Sequence, residues 1–162
     1  MASERSKGKV VQACHSVLSD KARFIKQLMI NAQTEANQHK GAMASRYDTF
    51  KEEAQALRDG YARQLEVLLR DITLLSEIKD VKTERVEFGS IVVTKEIDND
   101  TGKIQTRKYF IFANNVDSSI KIGTNEYTLV SPGSPLGKCL VNMESGDIVK
   151  FRGKNIEITD VE

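Results

Sequence analysis

The chain has 162 residues, 40% hydrophobic and 29% charged, and carries a net charge of +1 at neutral pH. That length holds one large domain or two small ones, and the composition is that of a folded soluble protein, not a disordered tail. So small a net charge supplies no bulk field for phosphates, so the totals do not describe a generic nucleic-acid binder, and no apolar run approaches the ~20 residues that a membrane span needs.

The first residues, Met-Ala-Ser-Glu-Arg-Ser-Lys-Gly-Lys, are polar and basic with no apolar stretch behind them. They carry no signal-peptide pattern, and a cytoplasmic location is expected. The two cysteines, Cys14 and Cys139, lie far apart in unlike surroundings, as reduced thiols of a cytoplasmic protein do. Residues 1–8 are expected to fray. From Lys9 a helical pattern sets in, with Val11, Cys14, Leu18, Ile25, Leu28, Ala32 and Ala36 on one stripe. It breaks at His39-Lys40-Gly41, where glycine suits a helix C-terminus and the two basic side chains suit its negative dipole end.

A second stripe follows at Tyr47, Phe50, Ala54, Leu57, Tyr61, Leu65, Leu68, Ile72 and Leu75. Its steps alternate between three and four, the period of one helical face, and charged residues fill the other faces. A helix of about 30 residues is ~45 Å long and needs a partner of equal length to cover its stripe. Ser45 is a candidate cap for it. Two such helices joined by a short loop predict an antiparallel hairpin, a coiled coil within one chain over residues 1–78, favoured by the short loop over a homodimer with splayed helices.

Lys79 to Arg85 reads as a charged linker, and beyond it the period changes. Strand-length alternation runs through Ser90–Thr94, Lys108–Phe112, Tyr127–Val130, Ile148–Phe151 and Ile156–Thr159. Turn residues separate these runs at Asp98–Gly102, Asn114-Asn115, Gly123–Asn125, Gly146-Asp147 and Arg152–Asn155. One short helix is expected over Leu136–Val141, capped by Ser134 with Pro135 in its first turn. Residues 79–162 are thus predicted to form a sheet of about five antiparallel strands with one helix, and the whole chain is α+β.

Ser134-Pro135-Leu136-Gly137-Lys138-Cys139-Leu140, followed by Ser145-Gly146-Asp147-Ile148-Val149, resembles the short helix and next strand of the FKBP-like C-terminal domain in the Gre family of bacterial transcription elongation factors. The helical hairpin before it resembles the family's coiled coil. The resemblance implies RNA polymerase as partner: the sheet module would dock on the coiled-coil rim of the β′ subunit and the hairpin would enter the secondary channel. It implies no cofactor, no membrane, and no sequence-specific DNA binding. Gly133, Ser134, Pro135, Leu136 and Lys138 would then form the docking segment, with Gly133 standing where the cleavage factors carry an Asp. The hairpin tip would be His39, Lys40, Gly41, Met43, Arg46, Tyr47 and Asp48.

In cleavage-stimulating members the tip holds an acidic pair three residues apart, shortly before a Tyr. Aligning that Tyr with Tyr47 puts Lys40 and Met43 at the acidic positions. An ammonium repels Mg²⁺ and a thioether is a poor ligand for so hard a cation. No acid lies between Glu35 and Asp48, so the chain is expected to bind polymerase without stimulating cleavage, with no catalytic residue and no metal site of its own. Lys40 and His39 read equally well as ordinary helix-end charges, or with Arg46 as a basic tip, and three charges do not decide. Asp98, Asp100 and Gly102 read as a hairpin turn, not a calcium loop. Two alternatives stand beside the leading reading: a coiled-coil adaptor unrelated to polymerase, and an FKBP-like prolyl isomerase, which would need an aromatic pocket from few aromatics, mostly Tyr109, Phe110 and Phe112.

Overall fold

Both long stripes form helices. In the computed structural model, which describes residues 6–38, 44–112 and 119–162, α1 spans Ser6–Gln38 and α2 spans Ala44–Ser76. The chain divides into two compact units. One is Ser16–Leu74, the two helices; the other combines the described start of α1, up to His15, with Leu75–Glu162.

In the helical unit much of both stripes turns inward as the spacing requires, but Leu57 of the second stripe is exposed. Leu18, Ala22 and Ala32 of α1 and Leu68 of α2 are buried, and Ile25, Leu28, Leu65 and Ile72 are half-buried beside them. Arg58 Nη1 donates to Gln33 Oε1 at 3.1 Å and ties the two helices together. With only residues 39–43 between them, the helices form an antiparallel hairpin. Helix α2 already begins at Ala44, so Ser45 lies within the helix and not ahead of it.

Of the residues expected to fray, 1–5 lie outside the described residues, whereas α1 is already formed at Ser6. The cause is Lys7, whose stem is buried while its Nζ donates to the Val81 carbonyl at 3.0 Å. Burial holds the ammonium below its usual pKa, against the opposing pull of Glu87, Asp80 and Glu162. A long side chain that buries its methylenes and keeps one good acceptor anchors a helix end well.

The sheet has six strands: β1 Ile91–Asp98, β2 Ile104–Ile111, β3 Ser119–Ile122, β4 Asn125–Val130, β5 Ile148–Phe151 and β6 Lys154–Val161, with α3 Pro135–Leu140 between β4 and β5. Their spatial order is β3-β4-β2-β1-β6-β5. Two hairpins show why. Between β1 and β2, Asp98 Oδ1 accepts from the backbone N–H of Asp100 at 2.9 Å and Thr101 at 3.0 Å, and Gly102 has φ +67. Between β5 and β6, Arg152 and Gly153 both take positive φ, +47 and +74, the backbone that a two-residue hairpin turn of right-handed twist demands.

The sheet differs from the predicted one in two respects. It has a sixth strand, β3, and it is mixed, because β2 pairs in parallel with β4 from Lys108↔Tyr127 to Ile111↔Val130. β3 takes an edge position antiparallel to β4, and the tight turn at Gly123-Thr124 sends β4 back into the slot beside β2. Alternation of side chains gives the sheet two apolar faces at this level. One carries Val92, Tyr109, Ile111, Ile156, Ile158 and Val161, with Leu136 and Leu140 of α3 packed in the same cluster. The other carries Ile91, Phe110 and Phe112, all buried, with the Phe110 and Phe112 rings stacked at 5.8 Å. Among the described residues, no helix is long and apolar enough to cross a membrane.

Candidate functional site

The segment leading into α3 is built almost entirely by its own hydrogen bonds. Ser134 is the N-cap, in extended backbone at φ −70 and ψ 159, and its Oγ accepts from the Gly137 N–H at 3.0 Å. The same hydroxyl donates to the Ser131 carbonyl at 2.7 Å. The Ser134 N–H donates to that carbonyl as well, at 3.0 Å, and the Gly133 N–H donates to Ser131 Oγ at 3.3 Å. Pro135 takes the first helical position, where its missing N–H costs nothing.

Gly137 closes the motif. A Cβ on it would stand 1.9 Å from the Ser131 carbonyl oxygen, so the chain can cross itself here only at a glycine. Leu140 is fully buried and Leu136 half-buried, which holds the helix down, while Gly133, Pro135 and Lys138 face solvent. At the far end, the Asn142 N–H donates to the Val86 carbonyl at 2.8 Å, the Val86 N–H to Met143 O at 2.9 Å, and Arg85 Nε pairs with Glu144 Oε1 at 2.8 Å. The structure thus brings Gly133, Ser134, Pro135, Leu136 and Lys138 together as one presented corner. Cys139 is half-buried beside them as a free thiol.

Gly133 differs from Gly137 in kind. Its φ is ordinary, and a Cβ there would meet only Ser131 Oγ, at 3.8 Å. Nothing in the local backbone requires glycine at 133.

Of the tip residues, His39, Lys40, Gly41 and Met43 lie outside the described residues, as does the side chain of Tyr47. Arg46 and Asp48 are exposed in the first turns of α2.

One polar cluster escaped the sequence reading. Glu96 is buried on the α3-covered face, where the Tyr109 hydroxyl donates to its Oε1. Arg107 Nε at 3.5 Å and Lys154 Nζ at 3.8 Å flank its Oε2. Burial first, and then the hydrogen bond to Glu96, push the Tyr109 hydroxyl well above the usual tyrosine range. No local sequence signal marks Glu96, and only the pairing of Val92 with Tyr109 and Thr94 with Arg107 puts it inside. The cluster matters for the prolyl-isomerase alternative. Tyr109 is committed to Glu96, and neither the cleft beside Lys7 nor that beside Lys108 has an aromatic side chain in its lining.

A helical hairpin followed by a mixed sheet, with a serine-capped, proline-started short helix on it, is the architecture that the resemblance to the Gre family implies. No protein-family model matches the chain. It is 30% identical over 137 residues to the transcription elongation factor GreA of Chloroherpeton thalassium, a match covering 83% of this chain and 78% of that protein. The chain belongs to the GreA family of transcription elongation factors. A second relative, GreA of Neorickettsia sennetsu, is 28% identical over 97 residues, 60% of this chain and 54% of that protein, so the chain spans only about half the length of this relative. Among solved structures, the chain is similar to the GreA factor homolog Gfh1 of Thermus thermophilus at 17% identity and a TM-score of 0.35, covering 93% of this chain and 95% of that one. Gfh1 of Thermus aquaticus gives 17% identity and a TM-score of 0.34, with 93% and 95% covered.

Proposed function

We propose that this protein binds RNA polymerase through the corner at Gly133–Lys138, inserts its helical hairpin into the secondary channel, and does so without stimulating transcript cleavage. The observation that supports the docking is the self-built loop at Ser131–Gly137, whose hydrogen bonds fix Pro135 and Lys138 outward before any partner arrives. A preformed surface spends little entropy on binding. The absence of cleavage is supported by the chemistry of Lys40 and Met43 and by the lack of any acid between Glu35 and Asp48. Transcript hydrolysis by a second Mg²⁺ needs oxygen donors to hold the ion and orient water, and the tip offers a cation and a thioether instead.

A factor that occupies the channel without chemistry acts by exclusion. It competes with cleavage-stimulating relatives for the same polymerase and so regulates elongation by holding the place of an active factor. Equilibrium binding to core polymerase, repeated with increasing amounts of a cleavage factor, tests this. Mutually exclusive binding is the expected result; simultaneous binding of both, or no binding of this chain, contradicts it.

A further inference from the structure

The sheet unit sorts its charge. Segments 92–112, 119–130 and 148–157 carry eight lysines and arginines against five acids, whereas 75–91, 131–147 and 158–162 carry four against eight. The basic segments include three turns that emerge at one end of the sheet. The Asn99 N–H donates to the Gly153 carbonyl at 3.1 Å and joins the first turn to the third. The parallel register of β2 and β4 puts the Gly123-Thr124 turn beside Gln105–Arg107, where the two enclose a polar cleft of about 450 Å³.

Four of the five acids in these segments have partners, and the fifth, Asp100, is exposed in the first turn. Glu96 is buried between Arg107 and Lys154. Glu126 lies directly opposite Lys121 and Glu157 opposite Lys95 in the strand register. The Asp98 carboxylate accepts the N–H groups of Thr101 and Asp100, which hold its pKa below the usual range. Lys103, Lys108, Lys150 and Arg152 are left with no carboxylate at ion-pair distance among the described residues. Lys108 is held in place, with Nζ 2.9 Å from Asn125 Oδ1 and over the Tyr127 ring at 5.7 Å. Arg152 lies over the Phe151 ring at 5.1 Å.

From β2 to β5 are three strand spacings, about 14 Å at about 4.8 Å each. One strand of a DNA duplex presents about four phosphates over that length, at about 3.4 Å apiece. We propose that this turn-bearing end of the sheet is a contact surface for the phosphate backbone of duplex DNA, sequence-independent and separate from the polymerase-docking corner. Duplex is favoured over single-stranded nucleic acid because single-strand sites add aromatic stacking platforms. Here Tyr127 is buried, and Phe151 is half-buried with Arg152 over it. With no base-reading element, binding follows charge alone.

The test uses the full chain without polymerase, so its outcome is independent of the polymerase reading. Fluorescence anisotropy with a labelled 20-base-pair duplex, over roughly 25–150 mM salt, is expected to give a log–log slope of about −3 to −4, near −0.9 per phosphate contacted. Lys103→Glu with Lys150→Glu, two exposed positions, is expected to weaken binding at least tenfold and flatten the slope by about 2. The same charge change at Lys26 and Lys79 is expected to stay within about threefold. Circular dichroism melts check that each variant is folded. Equal losses in both double variants, no binding at the lowest salt, or tighter binding of a single-stranded RNA of the same length would each overturn the proposal.

Discussion

Single positions set the limits of this molecule more tightly than its composition suggests. Gly137 is one of them, since any Cβ would meet the Ser131 carbonyl oxygen at 1.9 Å. Gly137→Ala must push the Ser131–Ser134 loop off α3 and break the Ser134 cap; we expect a loss above about 3 kcal/mol in urea unfolding. Cys14 is another. Its thiol is fully buried, and burial pushes its pKa up to about 12 from an ordinary 9.0. A raised folded-state pKa favours the neutral thiol in the native state. That contribution is therefore complete below pH 9 and is lost as pH climbs from 9 toward 12. Tyr109 adds a loss of the same sign at higher pH. Denaturant midpoints between pH 8 and 11 should fall in the native protein and fall less steeply in Cys14→Ala, measured relative to each protein's own value at pH 8. None of this was legible from spacing alone. Glu96 carries no local signal, Lys7 lies in a stretch expected to fray, and both are buried with distant partners, Tyr109 and the Val81 carbonyl.

The elements divide by how local their determinants are. The two long helices could be read from apolar steps of three and four, and the capped start of α3 from Ser134-Pro135, because both signals lie within a few residues of the structure they create. β3 was missed: Ser-Ile-Lys-Ile is four residues long with one buried side chain, Ile120, too short for alternation to stand out. The parallel pairing of β2 with β4 was missed because alternation records faces and not direction. The same local logic makes α3 the element to test for docking. Gly133→Asp fits the open space at that position and supplies the acid that the resemblance places there, so under the proposed docking it should tighten polymerase binding a few-fold, on the order of 1 kcal/mol. Pro135→Ala should weaken binding by a similar factor while the sheet unit keeps its melting temperature. Gly133→Asp without gain, together with Pro135→Ala without loss, would move the docking surface elsewhere.

At the scale of the whole chain, what could be read was the plan and not its local asymmetries. A change of period near residue 79 and the segregation of helices from strands gave α+β. A net charge of +1 concealed a sheet unit with its cations gathered in three segments, because bulk charge averages over register. The functional account also belongs to this scale. Under the proposed function a channel-entering hairpin is useful only for what its end carries, and the side chains of Lys40 and Met43, at the positions that the resemblance gives to the acidic pair, supply no oxygen donor. The most direct measurement is transcript cleavage in a purified, backtracked polymerase complex, comparing the native protein with the Lys40→Asp, Met43→Glu double substitution. The account predicts no shortening of the transcript above the intrinsic rate with the native protein, and stimulated shortening once the acidic pair is supplied. Robust cleavage stimulated by the native protein would contradict it.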